Sequence, residues 1–142
     1  MTLLHQLSVK TSLLAAGLLL SSSCFAAATP VSAETEFSDS QAVSGLKLSQ
    51  DVLSQKFDLA QGEALANTRC IACHGNVMLG IMPTYPSLMG QKSAYLFKQL
   101  IEFKQGKRAN PIMQAQAGML SEAEMKNVAY YYSQQALLNL AK

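Results

Sequence analysis

Residues 58–75 read DLAQGEALANTRCIACHG, and this stretch decides the fold. Asp58 is a helix N-cap residue, and Leu59, Leu65 and Ala66 recur at helical spacing, so a helix is expected from Asp58 to Arg69. That helix delivers the chain straight into Cys70-Ile71-Ala72-Cys73-His74. Gly62 lies inside it at a cost of about 1 kcal/mol against alanine, so a close packing contact is expected there.

Working outward, residues 74–90 carry Gly75, Gly80, Pro83, Pro86 and Gly90, which forbid a long regular element and predict a loop. Its Met78, Leu79, Ile81, Met82, Leu88 and Met89 are more apolar than a solvated loop requires, so it should wrap apolar material. Helical spacing returns over Ser93–Gln105, with Tyr95, Leu96, Leu100 and Phe103 as the inward stripe and Gly106 as the stop. A second loop is expected over Lys107–Leu120. Ser121-Glu122-Ala123-Glu124 is a capping box opening a last helix to about Leu140, with Met125, Val128, Ala129, Tyr132 and Ala136 inward. No strand series or internal repeat interrupts the pattern, and the domain reads as all-α.

Upstream, Met1–Ala28 has the form of a secretory signal: Lys10, an apolar run over Thr11–Leu20, then small residues with cleavage after Ala26 or Ala28. The mature chain is expected to be soluble and periplasmic. Cys24 follows Ser21-Ser22-Ser23, a poor match to a lipidation site; if lipidated, it would anchor the protein to a membrane. Residues 29–56 are rich in Ser, Thr, Ala and Gln without periodicity, and read as a flexible leader with at most a short helix near Leu46–Leu53. The domain proper is expected over residues 57–142.

The chain of 142 residues has a net charge of +2 and no basic stripe or tail, which gives nucleic acid binding no support. Lys92, Lys98, Lys104, Lys107 and Arg108 cluster in one segment and could form a modest positive face.

Loss of the signal removes Cys24 and His5, leaving Cys70, Cys73 and the single imidazole of His74. A disulfide across two intervening residues closes a loop too small to staple a fold, so the pair has a chemical role. The pattern Cys-x-x-Cys-His is that of covalent haem attachment: two thiols add to the vinyl groups, and the next histidine ligates the iron. A structural zinc site wants four Cys or His ligands, and the mature chain has three. A thioredoxin-like pair expects a strand-helix setting, and here a helix precedes the cysteines. For a sixth iron ligand, Met78, Met82, Met89, Met113, Met119 and Met125 are all present. Met78 and Met82 are tethered too closely to His74. Met113 is favoured, with Met119 its main competitor and Met125 core filler.

From Phe57 onward the chain resembles class I c-type cytochromes, the bacterial cytochrome c4 and c-553 kind. The likeness rests on Gly62-Glu63-Ala64-Leu65-Ala66, Cys70 to Gly75, Pro86-Ser87-Leu88-Met89-Gly90-Gln91, Tyr95-Leu96 with Gln99-Leu100, Gly106-Lys107-Arg108, Met113, and Leu120-Ser121 with Ala129 and Tyr131. The resemblance implies one covalent haem c, His74 as proximal and Met113 as distal ligand, and a Pro86 carbonyl accepting the His74 ring N–H. It further implies Leu88 packed on the porphyrin and Gly62 at a helix crossing beside an aromatic near Tyr131. The implied function is one-electron transfer between redox partner proteins, with no catalytic residues. The alternatives are a haem subunit of a larger oxidoreductase and a haem protein with a labile sixth ligand. Cytochrome c4 proteins have two haem domains, whereas this chain has one attachment motif.

Overall fold

The computed structural model describes residues 31–82 and 84–137. The signal expected over Met1–Ala28, with Cys24, lies outside them. Eight α-helices occupy the described residues, without a strand: α1 (Ala33–Ser44), α2 (Gln50–Ser54), α3 (Leu59–Leu65), α4 (Ile71–His74), α5 (Asn76–Ile81), α6 (Ser93–Lys104), α7 (Pro111–Gly118) and α8 (Glu122–Ser133). The all-α expectation holds.

Asp58 caps α3, its side chain accepting the Gln61 N–H at 2.9 Å. The helical path does not break before the cysteines but widens into a π turn over Ala66–Cys70, in which the Ile71 N–H reaches back to the Ala66 carbonyl. At Gly62, α3 crosses α8. A Cβ there would overlap the Asn127 carbonyl oxygen and stand 2.9 Å from both the Asn127 carbonyl carbon and Tyr131 Cβ, so only hydrogen fits. Asn127, fully buried, pins the same crossing: its Oδ1 accepts the Asp58 N–H at 3.0 Å and its Nδ2 donates to Gln61 Oε1 at 2.6 Å.

The expected capping box is present at α8, where Ser121 Oγ accepts the Glu124 N–H and Glu124 Oε2 accepts the Ser121 N–H at 2.8 Å. Met125, Val128, Ala129 and Tyr132 are buried as expected. The helix ends at Ser133 rather than Leu140, and Ala136 is exposed. In α6 the inward residues are Leu96, Phe97, Ile101 and Phe103; Tyr95, expected inside, is half exposed. The i, i+4 pair Phe97 and Ile101 sets the buried face, and Tyr95 falls beside it.

Two stretches expected as loops are structured. Within Lys107–Leu120, α7 starts at a local signal: Asn110 Oδ1 accepts the Met113 N–H at 3.0 Å, and Pro111 occupies the first helical position, where its missing donor costs nothing. Within 74–90, Gly75 precedes the six-residue α5. Leu79 is its buried anchor.

The largest departure is at residues 29–56. From residue 31 onward this segment is not a flexible leader. Phe37, 1% exposed, lies edge-on to Phe57 and Phe97 at ring separations of 5.6 and 5.2 Å. One turn later, Gln41 Nε2 donates to the Ala94 carbonyl of α6 at 2.8 Å. Lys126 of α8, fully buried, donates from Nζ to the carbonyls of Val52 (2.7 Å), Leu53 (3.1 Å) and Gln55, the carbonyls at the end of α2. Its ammonium also sits 5.0 Å from the centres of the Phe37 and Phe57 rings. Burial pulls its pKa down, and the carbonyls and ring faces supply what water would have. The segment's composition is polar because only Phe37 and Gln41 of α1 turn inward, too few for a visible stripe.

Candidate haem attachment site

The π turn and α4 set Cys70 and Cys73 one helical turn apart, and residues three apart share a helix face. Both thiols are free and half-buried. Burial pushes the Cys70 thiol pKa up, against the pull of the neighbouring Tyr132 hydroxyl and Arg69. Tyr132 is itself pushed up by burial and by Cys70. A reactive dithiol needs a stabilised thiolate, so this surrounding opposes redox chemistry at Cys70 and suits a neutral thioether sulfur.

His74 is 7% exposed. Its Nδ1 stands 2.8 Å from the Pro86 carbonyl oxygen, which can only accept, so the ring hydrogen belongs on Nδ1 and the Nε2 lone pair is left to bind a metal. Such a bond fixes both tautomer and ring direction. The loop offering that carbonyl is held twice: the Gly90 N–H donates to the Tyr132 carbonyl at 2.9 Å, and the Gln91 side chain donates to the Ser87 carbonyl. Gly90 takes φ +71°, which glycine tolerates. The Tyr85 ring meets His74 edge-on at 6.0 Å.

Of the other residues singled out from sequence, Leu88 is half-buried against the core, and Met113, in the first turn of α7, is likewise half-buried against it. Met119, past the end of α7, is 55% exposed, and its sulfur accepts from Arg69 Nη1 at 3.5 Å. Met125 is wholly buried, core filler as expected. Beside the motif, Ile71, Ala72, Val77, Met78 and Met89 line an open apolar cleft of about 430 Å³. Among the described residues no three His, Cys, Asp or Glu side chains gather as a metal site.

Lys126, Asn127 and Phe37 escaped the sequence reading. Phe37 could have been noticed as the one aromatic between Ala27 and Lys56, followed at i+4 by Gln41. Lys126 had no local signal, because its carbonyl partners lie about seventy residues away.

Two free thiols on one helical turn and a buried imidazole with Nε2 left open are the donor groups that covalent haem attachment requires. The family model described as cytochrome c oxidase, cbb3-type, subunit III matches residues 57–131, more than half of the chain. A cytochrome c4 from Thiocapsa roseopersicina is 42% identical over 86 residues, covering 61% of this chain and 44% of that protein. A cytochrome c-554(548) from Halomonas halodenitrificans is 37% identical over 81 residues, 55% of this chain and 96% of that protein. A thiosulfate dehydrogenase electron acceptor from Stutzerimonas stutzeri is 41% identical over 76 residues, 53% of this chain and 35% of that protein. The chain thus spans under half of the cytochrome c4 but nearly all of the c-554(548).

The chain belongs to this family and is a class I c-type cytochrome with covalently bound haem c. No described helix is long and apolar enough to cross a membrane.

Proposed function

We propose that this is an exported monohaem one-electron carrier whose iron is held by His74 and Met113, with Cys70 and Cys73 as the thioether attachments. Haem supplies a metal that changes charge by one electron without making or breaking bonds to substrate. The chain's own residues do the rest. Pro86 and the loop clasped by Gly90 hold the imidazole in one tautomer and one orientation. Leu88 and the walls of the core keep water away, and Leu88 is read as packing on the porphyrin.

The observation that carries the ligand reading is the contrast among methionines. Met113 is half-buried, on a turn fixed by Asn110; Met119 is exposed and engaged by Arg69; Met125 is sealed in α8. A thioether ligand raises the reduction potential relative to a second imidazole. The test is the oxidised absorption spectrum: the thioether-to-iron charge-transfer band is lost in Met113→Ala and kept in Met119→Ala. The opposite pattern assigns the iron to Met119. Export is supported by Met1–Ala28 and checked by mass spectrometry of the mature N-terminus, which should begin near Ala27 or Thr29.

A second reading, a haem subunit of a larger oxidoreductase, draws on the matching family, which is that of an oxidase subunit. Co-purification with a haem-copper or other oxidoreductase core would favour it, and isolation as a free monomer would favour the carrier.

A further inference from the structure

The helix α8 joins two sets of contacts. Through Lys126, Asn127 and Tyr130 it holds the N-terminal half of the described chain. The Lys126 ammonium is received by the carbonyls of Val52, Leu53 and Gln55, and Asn127 bonds to Asp58 and Gln61. Tyr130 stacks on Phe57 at 3.9 Å, Phe57 meets Phe37 edge-on, and Phe37 meets Phe97 of α6 in the same manner. Leu46, Leu48 and Val52 pack against the same core. Through the Tyr132 carbonyl, α8 also holds the Gly90 N–H, and with it the loop whose Pro86 carbonyl faces His74 Nδ1.

None of the side chains in the first set belongs to the attachment motif, and none is Pro86, Leu88 or Met113, so this packing does not use the haem. That independence matters in a small domain. A chain of roughly eighty residues, such as 57–137 alone, buries too little surface to be more than marginally stable, and a ligand enclosed by it then contributes much of the difference. Residues 31–56, ahead of the stretch shared with the family, supply burial of their own. Phe37, 1% exposed, is the centre of it. Loss of a fully buried phenylalanine shifts a folding equilibrium by about a hundredfold or more.

We propose that this chain folds before haem is attached, with the α1–α2 segment as the clamp that sets α8, so that free haem is received by a preformed site in which His74 is already oriented. A preformed site avoids the ordering entropy that a disordered one loses on binding. Folding comes first, capture of a divinyl haem at His74 Nε2 second, and attachment third. In attachment each thiol adds across one vinyl group: a sulfur–carbon bond forms, the thiol hydrogen passes to the other vinyl carbon, nothing leaves and no net electrons are transferred. The inference rests on covalent haem attachment. It holds for a free carrier and for a subunit, whichever methionine binds iron.

The experiment uses the full chain carrying Cys70→Ala/Cys73→Ala, which cannot form the thioethers, with the wild-type holoprotein as reference. Without haem it should keep at least about two-thirds of the holoprotein's helical circular dichroism and unfold in urea in one cooperative transition. Added haemin should give a one-to-one complex with an imidazole-ligated absorption spectrum. Phe37→Ala in the same thiol-free background should lose the cooperative transition and more than about half of the helical signal, because the hundredfold shift falls on a domain without its ligand. Val43→Ala, at an exposed position, should lose neither. The haem-bearing fraction of Phe37→Ala with both cysteines present should still be helical, which separates loss of the clamp from a chain unable to fold at all. A thiol-free chain that stays unstructured until haemin is added overturns the proposal, and so does a Phe37→Ala thiol-free chain as cooperative as its parent. Either result leaves haem staining of the wild type, and the carrier reading with it, untouched.

Discussion

Replacing Gly62 with alanine sets two effects of opposite sign against each other. Helix propensity favours alanine by about 1 kcal/mol in a helix interior. The added Cβ, however, would be driven into the Asn127 carbonyl oxygen and to 2.9 Å of Tyr131 Cβ, where ordinary contact needs over 3.4 Å. The obstacle is backbone, so no rotamer change relieves it, and α3 must back away from α8. Overpacking costs about 1–3 kcal/mol, and a rigid obstacle puts this site at or above the top of that range. The net loss expected for Gly62→Ala is therefore about 2 kcal/mol or more. Gly80 provides the control: it is helical, in α5, and its Cβ would meet nothing within 4 Å. Gly80→Ala should hold stability level or raise it by up to about 1 kcal/mol. Urea unfolding of both holoproteins, followed by far-ultraviolet circular dichroism, measures the difference. If Gly62→Ala is as stable as Gly80→Ala, the α3–α8 crossing is not as close as described, and the reasoning fails.

Phe37→Ala should destabilise the holoprotein by about 3 kcal/mol, the lower end for a fully buried phenylalanine, whereas Val43→Ala, at a 90% exposed site, should have little effect; equal urea midpoints would mean the N-terminal segment does not dock. For acid stability, the hydrogen bonds from the Ser121 backbone and side chain hold the Glu124 carboxyl below its ordinary value of 4.5. Its contribution is thus present above about pH 4.5 and lost as pH falls through the lower folded value. Glu124→Gln should flatten part of the fall in stability between about pH 5 and pH 3, leaving the part due to Glu34, also lowered by hydrogen bonding; an unchanged acid profile would show that the capping box carries no such linkage.

What could be read in advance was local. Asp58, and Ser121 with Glu124, carry their structural instructions within a few residues, and both led to the right helix starts. Gly62 was legible as an anomaly that demanded a neighbour. The misreadings share another cause. Lys107–Leu120 was read as a loop, although Asn110-Pro111 is a start signal and Gly118 falls at the last helical position. Phe37, Gln41 and Lys126 are decided by partners in elements far along the chain, so a polar composition hid a docked segment and a charge hid a buried anchor. A lysine in a helix reads as solvated unless the distant carbonyls that cap it are known.

The π turn at Ala66–Cys70 carries a last consequence, one of phase. A single residue more or less rotates everything downstream on a helix by about 100°. The wide turn absorbs such an offset, so that Gly62 can address α8 while Cys70, Cys73 and His74 address a different direction from the same continuous rod. The chain between Ala66 and Cys70 is accordingly intolerant of length change even where its side chains are exposed: Asn67 or Thr68 could be exchanged freely, yet deleting either would regularise the helix and swing the attachment cysteines off their heading.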